Sequence, residues 1–161
     1  MKEKLYTIPL NDAVNANDEC PFCFIERELE QNSLNFVLGN SSSYMENDIR
    51  DQTDKAGFCK IHMKKMFDYG NTLGNTLILQ THYHKLREEM KKQFDSFTPG
   101  KSSILGRFRR SDAGTDKNTL AAWVVSKDCS CFICQNISDT FARYVETFFW
   151  LYRQDNEFKN K

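Results

Sequence analysis

Six cysteines and one of the three histidines carry the most chemistry in this sequence. They form pairs of sulfur or nitrogen donors with two residues between the members: Cys20 with Cys23, Cys59 with His62, and Cys131 with Cys134. Thiolate sulfur and imidazole nitrogen are the ligands that zinc takes in tetrahedral protein sites. The sequence therefore predicts a Cys3His zinc site, with Cys20, Cys23, Cys59 and His62 as its primary ligands.

The positions of these residues on helices explain why they would bind metal. Pro21 suits the first position of a helix, so Cys20 is predicted to cap that helix and Cys23 to lie in its first turn. Side chains at these two positions converge in front of the helix end, as in a capping box. Cys59 and His62 repeat the spacing at a second helix start, and a helix N-terminus favours thiolate. We expect two helix N-termini to meet at about one structural zinc ion per chain, because protein ligands fill all four positions.

Cys129, Cys131 and Cys134 form a possible incomplete second site. Two hypotheses would complete it. His82 or His84 would donate the fourth ligand, or two chains would pool Cys131 and Cys134 into a shared four-cysteine site, which would make the protein a homodimer.

Other chemistries remain open for these residues. The cysteines can be buried free thiols that pack as small hydrophobic side chains. Six cysteines also suffice for an iron–sulfur cluster, although His62 at the ligand spacing favours zinc. Without a complete metal shell, Cys129, Cys131 and Cys134 would suit a thiol-based redox or metal sensor that cycles to a disulfide.

The elements that must position these donors are helices, as the apolar periodicity indicates. Residues 1–18 are expected to be extended or irregular, and the state of residues 120–125 is left open. Four helices are predicted: Pro21 to a stop signal at Gly39, Tyr44 to Thr53, near Cys59 to about Phe94, and Ile137 to Leu151. The predicted fold is all-α, a small helical bundle whose helix N-termini meet at a Cys3His metal site.

Composition divides the chain into three predicted regions. Residues 1–97 form a helical metal-binding unit, and residues 120–161 form a partial second unit whose helix packs on the first. Between them, residues 98–119 are rich in Pro, Gly, Ser, Thr and charge, which is typical of a flexible linker or loop.

Charge and hydropathy favour or exclude several classes of function. The chain has 22 basic and 22 acidic residues, so no overall field attracts nucleic acid or acidic lipid. The local basic segment, Arg107–Arg110 with Lys117, supports nucleic-acid binding only as a lesser hypothesis. No signal peptide and no apolar run of membrane-spanning length occurs, so a cytoplasmic protein with reduced thiols is expected. No GxSxG, HExxH or paired-carboxylate motif is present, which favours a non-enzymatic role.

The segments ECPFCFIERELE and SCFICQNISDTF are similar to each other, and GFCKIH follows the first of them. With this pattern the chain resembles a bacterial family of uncharacterised function whose members carry CPxC and G-[FL]-C-x-x-H elements, often repeated. The resemblance extends from residue 1 to about residue 95 and is partial from Cys131, where the second repeat is expected to be truncated. It implies a helical fold with a metal site and no established activity. We therefore expect a zinc-stabilised binding or scaffold module for an unknown protein or small-molecule partner.

Overall fold

The structure is a computed structural model that describes residues 6–16, 18–40, 43–97 and 119–160. Residues 98–118, which include most of the predicted linker and the segment Arg107–Arg110, lie outside the described residues. The described part holds eight α-helices, one short 3-10 turn (Ser43–Met45) and no strand. The helices are α1 (Thr7–Asn15), α2 (Pro21–Leu38), α3 (Asn47–Ala56), α4 (Lys60–Asp68), α5 (Thr72–Ser96), α6 (Thr119–Asp128), α7 (Phe132–Gln154) and α8 (Asn156–Lys159). The all-α prediction is confirmed.

Helix α2 has the predicted ends, whereas the predicted third helix is two helices. Cys20 caps α2, which starts at Pro21 and ends before Gly39. The predicted helix from near Cys59 to Phe94 breaks after α4, because Gly70 takes a φ of 88° that glycine adopts without strain. The side chain of Asn71 then starts α5 by accepting a hydrogen bond of 2.9 Å from the Gly74 amide.

The expectation of an irregular segment over residues 1–18 is wrong for the residues that form α1. Leu10 and Ala13 lie on one side of this helix and are 0% and 2% exposed. They pack in a core with Ile25 and Tyr144. A short helix gains most of its stability from such packing rather than from intrinsic propensity, which explains why the sequence pattern was insufficient.

Helices α2 and α7 pack against each other in antiparallel directions. Near the end of α2, Ser33 accepts a hydrogen bond of 3.1 Å from the side chain of Asn136, early in α7. Near the start of α2, the Phe22 ring lies 6.0 Å from that of Phe141 and 4.8 Å from that of Phe148, further along α7. The N-termini of these two helices therefore lie at opposite ends of the pair.

Two apolar clusters form the core of the described residues. One surrounds the starts of α4 and α7, and the other joins α1, α2, α7 and α8. The buried members of the first are Leu34, Val37, Leu38, Phe58, Met66, Ile78, Cys131 and Ile133. The buried members of the second are Leu10, Ala13, Ile25, Tyr144, Leu151 and Phe158. Because Ile133 is fully buried, the start of α7 is anchored in the first cluster.

Gly57, between α3 and α4, holds the start of α7 against the start of α4. Its carbonyl accepts a hydrogen bond of 2.9 Å from the Phe132 amide. Its φ is 65°, and a Cβ added there would lie 2.7 Å from the ring of His82. That ring in turn lies 3.1 Å from the carbonyl oxygen of Asp54, through Nδ1. Both the backbone conformation and the His82 contact therefore require glycine at this position.

We expect Gly57→Ala to destabilise the fold by about 1–3 kcal/mol, since it combines a strained backbone with a steric clash. Gly70→Ala is the matched control, because Gly70 also has a positive φ but no atom lies within 4 Å of an added Cβ. Urea unfolding of both variants measures the difference. An equal loss of stability in the two would show that the contact with His82 contributes nothing.

Candidate metal centre

Four donor residues converge where the starts of α4 and α7 meet. They are Cys59, His62, Cys131 and Cys134, and their ligand atoms all lie within 4.8 Å of one another. Cys59 caps α4 and Cys131 caps α7, so each helix brings one donor at its cap and one in its first turn. The predicted meeting of helix N-termini at a Cys3His group is therefore confirmed.

The distances between donors suit a small tetrahedral ion. His62 Nδ1 lies 3.2 Å from the sulfur of Cys59 and 3.3 Å from the sulfurs of Cys131 and Cys134. The sulfurs of Cys59 and Cys134 are 3.9 Å apart. Ordinary metal–sulfur and metal–nitrogen bonds to zinc would place tetrahedral donors about 3.5–3.8 Å apart. The group can therefore hold one metal ion with small adjustments.

The N-termini of α4 and α7 offset part of the negative charge that three thiolates bring to the group. The sulfur of Cys131 accepts a hydrogen bond of 3.5 Å from the Cys134 amide. Burial opposes ionisation of Cys59, but backbone hydrogen bonds from His62 and Ile61, together with the other two thiols, lower its pKa. Amides at both helix starts thus favour negative charge on the sulfurs.

The thiols in the metal-free group compete with one another for ionisation. Burial raises the pKa of the Cys134 thiol to about 12, and the hydrogen bonds and charges of Cys131 and then Cys59 add to this effect. Cys134 therefore keeps its proton near neutral pH until a cation displaces it. Metal binding should release protons, because only the thiolate is a ligand.

We expect the apparent metal affinity to rise with pH between about 6 and 8, by about tenfold per pH unit for each proton released. The raised pKa of Cys134 sets this direction, since acid favours the protonated thiol that cannot bind metal. Competition with a chromophoric chelator at several pH values, corrected for the chelator's own protonation, measures the slope. An affinity that is independent of pH would contradict this account of the group.

Comparisons with known proteins place the chain in a family. The model of a family of unknown function (DUF6062) matches residues 1–161. The chain belongs to this family. Searches of curated proteins and of solved structures found no match. Membership in DUF6062 agrees with the resemblance stated from the sequence, and the role of the family's residues must be argued from their geometry.

Glu30 of α2 orients the histidine of this DUF6062 chain. Its Oε1 lies 3.1 Å from Nε2 of His62, and its Oε2 accepts a hydrogen bond of 2.5 Å from Lys65. Burial opposes ionisation of Glu30, but the hydrogen bond and charge of Lys65, and then those of His62, lower its pKa. A carboxylate on the outer nitrogen of a ligand histidine fixes the ring and makes it a better donor. Its contact leaves Nδ1 of His62 for the metal.

We expect Glu30→Gln to weaken metal binding by about 10- to 100-fold, because the amide holds no full charge next to the histidine. Glu28→Gln is the control, since Glu28 lies on the same helix and is exposed. Metal titration of both variants against the unaltered chain decides the matter. Equal metal affinities for the two variants and the unaltered chain would show that Glu30 does not contribute to metal binding.

Cys20 and Cys23, which the sequence paired with Cys59 and His62, lie outside the four-donor group. Their local geometry is the predicted one: the sulfur of Cys20 accepts a hydrogen bond of 3.4 Å from the Cys23 amide. The antiparallel packing of α2 and α7 explains the separation. Only one of the two helix N-termini can lie beside the start of α4, and the start of α7 occupies that place.

The remaining candidate ligands are also apart from the group. Cys129 is exposed in the turn before α7. His82 is buried against Gly57 and has its ring nitrogen near a carbonyl oxygen, and His84 forms an ion pair of 3.3 Å with Glu88. Neither histidine is therefore among the donors that the structure brings to Cys131 and Cys134.

The sequence contained no signal that selects Cys131 and Cys134 over Cys20 and Cys23, because the inner residues of both pairs are apolar. The burial of Ile133 in the first apolar cluster is visible only in the structure. Glu30 gave no indication either, because a single acidic residue on a helix is usually solvated. None of the described helices is long and apolar enough to cross a membrane.

Proposed function

We propose that the protein is a zinc-stabilised helical module that binds a protein or small-molecule partner and has no catalytic activity of its own. Zinc occupies Cys59, His62, Cys131 and Cys134 in this proposal. The observation that carries it is the closed set of four protein donors. A site with four protein ligands leaves no open position for a reacting water or substrate, which is typical of structural zinc.

The chain positions of the donors support a stabilising role. His62 and Cys134 are 72 residues apart in the sequence, and the ion would add a cross-link between the starts of two helices that already contact each other through the hydrogen bond from Phe132 to Gly57. Because such a site cannot preassemble in the unfolded chain, its binding free energy adds directly to the free energy of folding.

A groove next to the centre supports the binding role. It has a volume of about 860 Å³ and lies between α2, α3 and α7, within the size range of ligand sites. Ser130 and Phe132, which flank the donor Cys131, line one wall, and Phe36 and Lys55 line others. A metal ion that fixes the start of α7 would therefore also fix this wall.

Elemental analysis of the purified chain tests the proposal most directly. We expect about one zinc per chain, as a single four-donor group implies. Cobalt substitution should give the intense visible bands of tetrahedral thiolate coordination. A chain purified without metal that neither binds zinc nor gains stability from it would refute the proposal.

The alternative of a thiol sensor that uses Cys129, Cys131 and Cys134 has less support. Two of these three cysteines belong to the four-donor group, and the third is exposed and apart from it. A shared four-cysteine site in a homodimer would likewise compete with that group for Cys131 and Cys134.

Nucleic-acid binding stays a prediction, since Arg107–Arg110 and Lys117 lie outside the described residues. The proposal places the protein in the reducing cytoplasm, where zinc thiolates persist.

A further inference from the structure

We infer that Cys20 and Cys23 form a second functional site, a dithiol that exchanges with low-molecular-weight disulfides. Its two thiols are not among the donors of the candidate metal centre. Among the described residues, the only group of three or more metal-ligating side chains is the one at Cys59, His62, Cys131 and Cys134. The Cys20 and Cys23 thiols therefore have no second donor pair in this part of the chain with which to hold an ion.

The backbone conformation at Cys20 is similar to that at Cys131, but the surroundings of the two cysteine pairs differ. Cys20 has φ and ψ of −146° and 115°, and Cys131 has −158° and 122°. Cys131 is buried at 3% exposure, whereas Cys23 is exposed and Cys20 is partly exposed. Two thiols in this relation at a helix start suit an intramolecular disulfide. Cys134 is exposed, as Cys23 is, so the two pairs differ in the burial of the capping cysteine, which is partly accessible at α2 and enclosed at α7.

Cys20 has the properties of an attacking thiol, and Cys23 has those of a resolving thiol. The backbone amide of Cys23, and then its side chain, donate hydrogen bonds that lower the pKa of Cys20. The hydrogen bond with Cys20 and the charge of that sulfur raise the pKa of Cys23. Cys20 is therefore the better nucleophile near neutral pH, and Cys23 is held as the thiol that reacts second.

An open cavity of about 490 Å³ gives a reacting molecule access to Cys23, whose amide lies 3.4 Å from the partly exposed sulfur of Cys20. Cys23, Glu26 and Arg27 line one side, and Ile137 and Phe141 of α7 line another. His62 and Cys134 of the candidate metal centre also line this cavity. The cavity has the volume of a small-ligand site and combines charged with apolar walls. A small peptide-like disulfide fits this description.

The exchange consists of two balanced steps. The Cys20 thiolate attacks one sulfur of the small disulfide, so that a mixed disulfide forms and the first small thiolate leaves and takes up a proton. The Cys23 thiol then loses its proton to water and attacks the sulfur of Cys20, which releases the second small thiol. The small disulfide is reduced by two electrons, and the pair is oxidised to a Cys20–Cys23 disulfide.

Glutathione disulfide, mixed with glutathione in varied ratios, is the probe for the zinc-loaded full chain. Trypsin separates the relevant cysteines by cutting after Lys and Arg: residues 5–27 hold the pair, residues 56–60 hold Cys59, and residues 128–143 hold the other three. We expect peptide 5–27 to lose two hydrogens as the mixture becomes more oxidising. Cys23→Ser should trap glutathione on Cys20.

Cys129 is the matched control, because it is an exposed thiol in the turn before α7 and does not cap a helix. It should take up glutathione several-fold more slowly than Cys20 in the Cys23→Ser chain. Peptide 5–27 that stays reduced in every mixture, or Cys20 that reacts no faster than Cys129, would overturn the inference. A second zinc ion per chain that Cys20→Ser removes would also overturn it.

Zinc measured in the same samples separates this inference from the proposed function. If peptide 5–27 is oxidised and the chain holds no zinc, the dithiol site stands and the zinc module fails. If zinc stays bound and peptide 5–27 stays reduced, the zinc module stands and the dithiol site fails.

Discussion

Cys131→Ser is expected to abolish stoichiometric zinc binding, whereas Cys20→Ser is expected to leave it unchanged. Cys131 is the most enclosed cysteine of the four-donor group, and its sulfur lies 3.3 Å from Nδ1 of His62. Serine oxygen does not replace a zinc-bound thiolate, so the ion would keep only three good ligands. Zinc content after dialysis against a weak chelator measures the effect.

This pair of variants also distinguishes the two ligand sets directly. The primary set predicted from the sequence requires Cys20 and Cys23, and the set that the structure brings together requires Cys131 and Cys134. Cys129→Ser is the control for a nearby cysteine change, since Cys129 is exposed and outside the group. Zinc that is lost with Cys20→Ser and kept with Cys131→Ser would restore the sequence-based set.

The unaltered chain should be about 4 kcal/mol less stable without metal than in free zinc at about 1,000 times the dissociation constant. For a chain of this size that corresponds to a fall in Tm of about 8–16 °C. The loss of structure after metal removal should first be confined to the region around the metal centre. Amides at the starts of α4 and α7 should lose protection from hydrogen exchange before those of the second apolar cluster, which holds Leu10, Ile25 and Tyr144.

Re-addition of zinc should restore both Tm and protection, and magnesium should not, because it prefers oxygen ligands. The Cys131→Ser chain serves as the reference, since a chelator should not change its stability further. A chelated wild-type chain with the same Tm and exchange pattern as the zinc-loaded one would contradict a structural role for the metal.

The sequence by itself determined the local part of this molecule. Pro21 after Cys20, and the spacing of the two cysteines, set the start of α2 because cap and first-turn geometry depend only on neighbouring residues. The same donor spacing occurs at Cys59 and at Cys131, where α4 and α7 begin, although the last helix was predicted only from Ile137. The helical class and the presence of a Cys3His group followed from these segments and from apolar periodicity.

The break at Gly70 and the helix at Thr7–Asn15 lay beyond this local reasoning. In the sequence, Gly70 is compatible both with close packing inside a helix and with a helix end. Its φ of 88° shows that it lies at a helix end. Helix α1 is short, so the burial of Leu10 and Ala13 against other helices stabilises it. Both outcomes depend on contacts that are distant in sequence.

Only the tertiary structure decided which helix start faces Cys59 and His62. Three segments had suitable donors, and their separation along the chain does not rank them. The antiparallel packing of α2 on α7 places the two candidate N-termini at opposite ends, and the burial of Ile133 with the hydrogen bond from Phe132 to Gly57 holds α7 at the site. Side-chain packing thus selected the partner from donors that were chemically equivalent, and it left Cys20 and Cys23 open to solvent.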